Sequence, residues 1–364
     1  MKGRALALHD PIFLIIVTLL VGGGLFLLSS ASVALSLRMY GDSFYITLRQ
    51  GLSVLLGLLG FFVLQAVPYR FWQKAALPIA IASFLLLGLV FAPHLGVKLH
   101  GAHRWINLGF FTFQPSEVAK FGLVLLLSWW FSRGDRTSSW KYGFLPFLGI
   151  IGVVAALMMA EPDMGTFGVM VGTAFLMYFA AGGKIKELLI IAGIGIVALL
   201  FLAKLEPYRV DRLTVFLHPE TDPQGIGYQA RQATIAIGSG GFWGVGYGAS
   251  REKRDVIPEP VGDSIFAIIG EEFGFAGSVA ILCLYLLFFW RSLWIAKRAP
   301  DNFSRLLVIG IGATIAFQAF VHIGAISGIL PLTGIPLPFI SYGGTAVIIM
   351  LSELGVIYQV AKHS

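Results

Sequence analysis

The feature that most constrains this chain is a run of about twenty apolar residues that recurs from one end of it to the other. A segment of that length without charge is long enough to cross the hydrocarbon core of a bilayer as a helix. Ten such windows centre near Leu20, Leu58, Leu86, Leu125, Val153, Gly172, Ile196, Leu284, Ile315 and Ile349. Composition points the same way, since 12% of the residues are charged and 57% are apolar, against about a quarter charged in soluble domains. A soluble enzyme and a disordered chain are excluded. The sequence predicts an all-α polytopic membrane protein with ten transmembrane helices, forming a single membrane domain over residues 1–364. The apolar stretch from Ile12 to Leu28, behind Lys2 and Arg4, reads as an uncleaved first span because many comparable spans follow. The single cysteine, Cys283, rules out an internal disulfide framework or a thiolate metal cluster.

The net charge of +7 is scattered over short loops, where basic residues set topology and face anionic lipid. Their bias predicts both termini on the cytoplasmic side. It places outside the one long polar loop, from about Lys204 to Ser264, whose seven bases are offset by eight acids. Within that loop Tyr228, Ala230 and Ile235 to Ile237 stand among polar residues, and Gly238, Gly240, Gly241, Gly244, Gly246 and Gly248 follow. This pattern predicts a short amphipathic helix at the outer interface, then glycine-rich turns that let the backbone approach something closely.

Four constellations carry chemistry. Arg104 and Trp105 lie ahead of Gln114-Pro115-Ser116-Glu117, where Pro115 suits a first helical turn and Glu117 and Lys120 share a face. That pair is either a structural ion pair or part of a wet cavity. Trp105, Phe110, Phe111 and Phe113 also suit an interfacial belt. Glu161-Pro162-Asp163 puts two carboxylates in an outer turn, read first as a helix cap by Asp163 and second as an ion or acid–base site. The segment Ser250 to Ser264 gathers Arg251, Lys253 and Arg254 ahead of Asp263, which is either a general base at a membrane mouth or the cap of the next helix. The span behind it carries Glu271 and Glu272. Last, Pro331 to Gly344 is apolar, yet three prolines in eight positions forbid a regular helix. Irregular backbone at membrane depth survives only when buried in protein or lining a cavity, so this stretch belongs beside the active region. The seven histidines show no metal-ligand spacing.

Together these stretches resemble the SEDS family of bacterial cell-wall polymerases, whose branches include FtsW, RodA and SpoVE. The resemblance runs over nearly the whole chain. It rests on Gly101-Ala102-x-Arg104-Trp105, Gln114-Pro115-Ser116-Glu117-x-x-Lys120, Pro162-Asp163-x-Gly165-Thr166, Gly227-Tyr228-Gln229, Ala236 to Gly241, and Pro331 to Gly344. Gly244 to Lys253 and Phe44-Tyr45 look closer to FtsW than to RodA. The resemblance implies a bundle of the type-C glycosyltransferase kind in the bacterial cytoplasmic membrane, with an extracytoplasmic loop between helices 7 and 8. It implies polymerisation of lipid II into glycan strands on the outer face, by transfer to the 4-hydroxyl of an incoming sugar with inversion. Asp263 falls on the family's essential acid. Arg104, Trp105, Glu117, Lys120, Arg251, Lys253, Arg254 and Ser341 are the substrate-binding candidates. No cofactor is assigned, and a divalent cation, Mg or Mn, is left open. The implied partners are a class B penicillin-binding protein and other membrane proteins of the division or elongation machinery. Two positions depart from the family pattern: Val261-Gly262 before Asp263, and His322 in the ninth span. A lipid II flippase and a non-catalytic scaffold are the rival readings.

Overall fold

The computed structural model describes residues 10–92, 96–99, 102–107, 109, 112–134, 137, 139–205, 214–222, 225–253 and 257–363. Helices dominate: α1 (Pro11–Ala31), α2 (Val33–Tyr40), α3 (Tyr45–Leu64), α4 (Tyr69–Gly88), α5 (Pro115–Phe131), α6 (Leu145–Ala160), α7 (Met164–Ala180), α8 (Ile185–Leu205), α9 (Ile226–Ser239), α10 (Ile265–Lys297), α11 (Asn302–Ile326) and α12 (Gly344–Ala361). Among the described residues seven helices are long and apolar enough to cross a membrane, and Met164–Ala180 is apolar but shorter. Those eight, together with α5 and α8, coincide with the ten apolar windows. The all-helical expectation omits one small element. β1 (Gly96–Leu99), β2 (Ala102–Asn107) and β3 (Thr112–Phe113) form a three-stranded antiparallel sheet, in which Val97 pairs with Trp105 and Ile106 with Phe113.

The core is built on α11, which packs against α10, α7, α5 and α12. It can be surrounded because small residues face its neighbours: Gly310 lies against Val124 and Met177, and Gly312 against Ser292. A helix hidden from lipid can carry polar groups, and α11 buries Thr314, Gln318 and His322.

The connecting segments sort by end. Arg305 donates to the carbonyl of Ala180, Thr137 donates to that of Ala181, and Lys362 bonds Gln65. Asp10 caps α1 through the amide of Phe13 and pairs with Arg291 at 2.9 Å near the far end of α10. At the start of α12, Thr345 bonds the carbonyl of Thr112 and Tyr342 bonds that of Val261.

The long α10 is broken. Gly274 adopts φ 65° and ψ −161°, a conformation open essentially to glycine. The break frees carbonyls and amides that the glycine-rich turns re-satisfy: Val245 and Gly246 donate to the carbonyls of Glu271 and Glu272, while the amides of Phe275 and Ala276 donate to the carbonyls of Gly241 and Phe242. A Cβ on Gly244 or Gly274 would collide with the opposing backbone. The expected close approach therefore has a definite object, the kink of α10. The amphipathic helix expected in the loop is α9, whose buried face (Gly227, Ala233, Ala236) packs on α10, with Ile237 against Gly270.

Candidate functional site

Asp263 sits half-buried in the turn that leads into α10. The N-cap position of α10 is Ser264, one residue beyond Asp263, and its side chain makes no capping hydrogen bond. The Ser264 hydroxyl is held between the carbonyl of Pro258, to which it donates at 2.7 Å, and the Gln229 amide of α9, from which it accepts at 3.1 Å.

The proline-rich segment covers this turn. Gly334, at φ 72°, brings its backbone so near that an added Cβ would stand 3.2 Å from Asp263 Oδ2. Ser341 is buried, and its hydroxyl donates to the carbonyl of Gly262 at 2.8 Å and accepts from the amide of Leu337 at 2.8 Å. Tyr342 donates to Val261 at 2.8 Å. Gln50 of α3 closes the far side, donating to the Ser341 carbonyl at 3.1 Å and accepting from Gly343 at 3.2 Å. Ser341 thus holds the backbone beside Asp263. A cavity of about 50 Å³ remains, lined by Asp263, Gln229, His322, Thr333, Gly334 and Ile335 among others. A larger one of about 440 Å³ adjoins it, between α9 and the end of α11, with Arg231 at its wall.

The expected pair on α5 reaches the same segment from behind. Glu117 and Lys120 are buried and 2.9 Å apart. Lys120 donates to Gln318 at 2.6 Å, and Gln318 donates to the carbonyl of Pro336 at 2.9 Å. This chain of polar contacts runs from α5 through α11 to the cover of Asp263.

Lys253 differs from the expectation of a loop cation open to substrate. It is buried, with its ammonium 2.7 Å from Glu272 and 2.8 Å from the Ser30 hydroxyl of α1. Glu271 accepts from the Arg251 amide at 2.9 Å and from the Ser250 hydroxyl. An ammonium so enclosed is held by its need for a counter-charge, and it pins residues 250–253 to the α1–α10 junction. Arg251 is exposed, while Arg254 lies outside the described residues.

Arg104 projects from β2, and its guanidinium donates to the carbonyls of Glu161 (3.1 Å) and Pro162, which ties the sheet to the α6–α7 turn. Trp105 is half-buried on the same strand. Asp163 caps α7, accepting from the amide of Thr166 at 3.1 Å, as the simpler reading of that turn expects. Glu161 is buried with neither carboxylate oxygen hydrogen-bonded among the described residues. Burial, reinforced by the Asp163 carboxylate and opposed by Arg104, pushes Glu161 up from 4.5 to about 8. Of the aromatics expected in an interfacial belt, Trp105 and Phe113 are half-buried, and Phe110 and Phe111 lie outside the described residues. Of the polar residues that line the cavity, Gln229, His322 and Thr333 were not among the candidate site residues. Gln229 is signalled only by its motif, and His322 by its departure from the family pattern in an apolar span.

With this geometry in place the relatives become informative. The family model described as "Cell cycle protein", covering FtsW, RodA and SpoVE, matches residues 11–364. The chain belongs to the FtsW/RodA/SpoVE family. It is 39% identical over 359 residues to a probable peptidoglycan glycosyltransferase FtsW of Geobacter sp. (strain M18), covering 98% of this chain and 97% of that protein. It is 38% identical to stage V sporulation protein E of Bacillus subtilis, again over 98% and 97%. Among solved structures it matches a chain described under "Structural coordination of polymerization and crosslinking by a peptidoglycan synthase complex", with TM-score 0.81, 30% identity and 99% of each chain covered. The rod shape determining protein RodA of Thermus thermophilus matches at TM-score 0.73 and 29% identity, over 99% and 98%. Within the family the chain stands closer to FtsW than to RodA. It is a multi-pass bacterial membrane protein.

Proposed function

We propose that this chain is a peptidoglycan glycosyltransferase that polymerises lipid II. The observation that carries the reading is Asp263, half-buried at the mouth of α10 in a cavity covered by the family's proline-rich segment. Relatives of the same length bear the name peptidoglycan glycosyltransferase. In this reading the carboxylate of Asp263 takes the proton of the incoming sugar's 4-hydroxyl. The oxygen then attacks the anomeric carbon of the growing glycan as its bond to pyrophosphate breaks, with inversion. Arg251, exposed at the edge of the loop, offsets charge on the departing pyrophosphate, with Arg254 next to Lys253 in sequence. Lys253, Glu117, Lys120, Arg104 and Ser341 fix the segments around that reaction, and Trp105 lies on the same outer sheet. Among the described residues no group of three or more His, Cys, Asp or Glu side chains converges to hold a metal ion, so the divalent cation left open by the sequence has no ligand set among them.

Ten spans, cytoplasmic termini and an outer loop complete this reading, with a class B penicillin-binding protein as the transpeptidase partner that cross-links the product. Purified protein, alone and with that partner, given labelled lipid II in detergent or vesicles, tests it. Glycan strands are expected, and Asp263→Asn is expected to lower their formation by roughly a hundredfold or more, with folding and lipid II binding retained. Leaflet exchange without strands, or partner binding alone, would overturn the reading.

A further inference from the structure

The turn that carries Asp263 holds a second carboxylate that the reaction as described does not use. Glu259 stands between Pro258 and Pro260, ahead of Asp263, and is exposed. Its backbone is at φ 47°, in the left-handed region that side chains other than Asn and Asp rarely enter. Among the described residues only Pro162 and Phe339 share this departure outside glycine, and Glu259 is the one that bears a charge. Pro260 adds to the strain, since the residue ahead of a proline is pushed towards extended backbone.

The turn requires that conformation but not that side chain. The Glu259 carbonyl accepts from the amides of Gly262 at 3.2 Å and Ser264 at 3.1 Å, which folds the chain back into α10. Both bonds are made by backbone, so a glycine would close the same turn with less strain. Residues held in such strain cluster at active sites and ligand clamps. The carboxylate is also placed for that use. The nearest atom to a Cβ built on Gly262 is Glu259 Oε2, at 3.8 Å. Gly262 directly precedes Asp263, and with no side chain of its own it leaves Oε2 uncovered on that side.

Charge decides what such a group can take. A carboxylate repels the pyrophosphates of the lipid-linked substrates, and it accepts hydrogen bonds from hydroxyls. The sugar that brings its 4-hydroxyl to Asp263 carries further hydroxyls on C3 and C6 of the same residue. We propose that Glu259 is a substrate-binding residue whose carboxylate accepts a hydrogen bond from one of these, while Asp263 takes the proton of the 4-hydroxyl. The proposal rests on the polymerase reading.

Two substitutions separate this role from a part in the turn alone. Glu259→Gln keeps the length of the side chain and removes its charge. Glu259→Gly removes the side chain and relieves the strain, so it is expected to unfold no lower in temperature than the wild type. Addition of acceptor lipid II to a preformed lipid-linked glycan is measured for each, and again with acceptors lacking the 3- or the 6-hydroxyl. Glu259→Gly is expected to raise the acceptor KM about tenfold with kcat within about twofold, the pattern of a lost binding contact. Glu259→Gln should raise it less. The wild type should lose a similar factor with one of the two deoxy acceptors, and Glu259→Gly should lose nothing further with that one. A stable Glu259→Gly protein with the wild-type KM would overturn the proposal, as would one that discriminates against both deoxy acceptors as the wild type does. Loss of kcat and of thermal stability at unchanged KM would also overturn it, by assigning the residue to the turn. A polymerase reading that is itself wrong shows differently, as a wild-type protein that forms no strands from lipid II.

Discussion

Gly334 reaches across the site to Asp263: the nearest atom to a Cβ built on it, at 3.2 Å, is the carboxylate oxygen Oδ2. The glycine also holds φ 72°, where a side chain costs roughly 1–2 kcal/mol. Gly334→Ala should therefore displace either the cover or the acid. Expected is a loss of about tenfold or more in strand formation, with lipid II binding within about twofold of wild type. Polymerisation at the wild-type rate would show that the acid needs no fixed position under this cover.

Removing Lys253 should be felt first in stability. Lys253→Met leaves Glu272 buried without its cation, a situation that costs about 3–5 kcal/mol. Lys253→Met combined with Glu272→Gln removes both charges and should recover most of that loss in thermal unfolding. The same double variant is expected to bind lipid II as the wild type does. Weaker binding by a stable double variant would instead place the ammonium on pyrophosphate.

Glu161 should make stability pH-dependent. Its folded-state value, about 8 against 4.5, means that between these limits the folded protein holds a proton which the unfolded chain has released. Stability is then greatest at the acid end, falls as pH rises through that window, and levels off above about pH 8. Glu161→Gln should remove the slope, unfolding near the wild-type temperature at pH 5 and above it at pH 8.5. The gain expected at pH 8.5 is on the order of 3 kcal/mol. A wild-type profile flat from pH 5 to 8.5 would contradict the assignment.

The orientation is open to impermeant thiol labelling in intact cells. On a Cys283→Ala background, a cysteine at Thr221 in the long loop should label and one at Lys184, beside the Thr137–Ala181 contact, should not. Both sites are exposed. The reverse pattern would invert the topology.

What was legible in the sequence follows from which forces are local. Each apolar window became a helix because hydrocarbon leaves the backbone no other partner than itself. The Pro331 to Gly344 stretch was legible for the same reason, and Leu332 to Ile335 do line the cavity with Asp263. The break at Gly274 was not legible. Glycines in an apolar helix are ordinary in membranes, and only the loop that donates Val245 and Gly246 to the freed carbonyls reveals why Gly274 is there. The partners of Lys253 were hidden likewise, since Ser30 lies 223 positions away. The sheet carrying Arg104 escaped notice because its strands are short and set between spans. His322 stood out as a departure, but no spacing argument connects it to Asp263. The Ile335 carbonyl that fixes its tautomer belongs to irregular backbone.

The bond from Gln50 to Ser341 links positions 291 apart in the chain. A ribosome feeding this protein into the membrane delivers Gln50 early, with the second apolar window, and Ser341 just before the last. Until that final segment leaves the ribosome the turn bearing Asp263 lacks both its cover and the strap behind it. A chain cut short just upstream of Pro331 holds every helix but the last and still lacks the cover of Asp263.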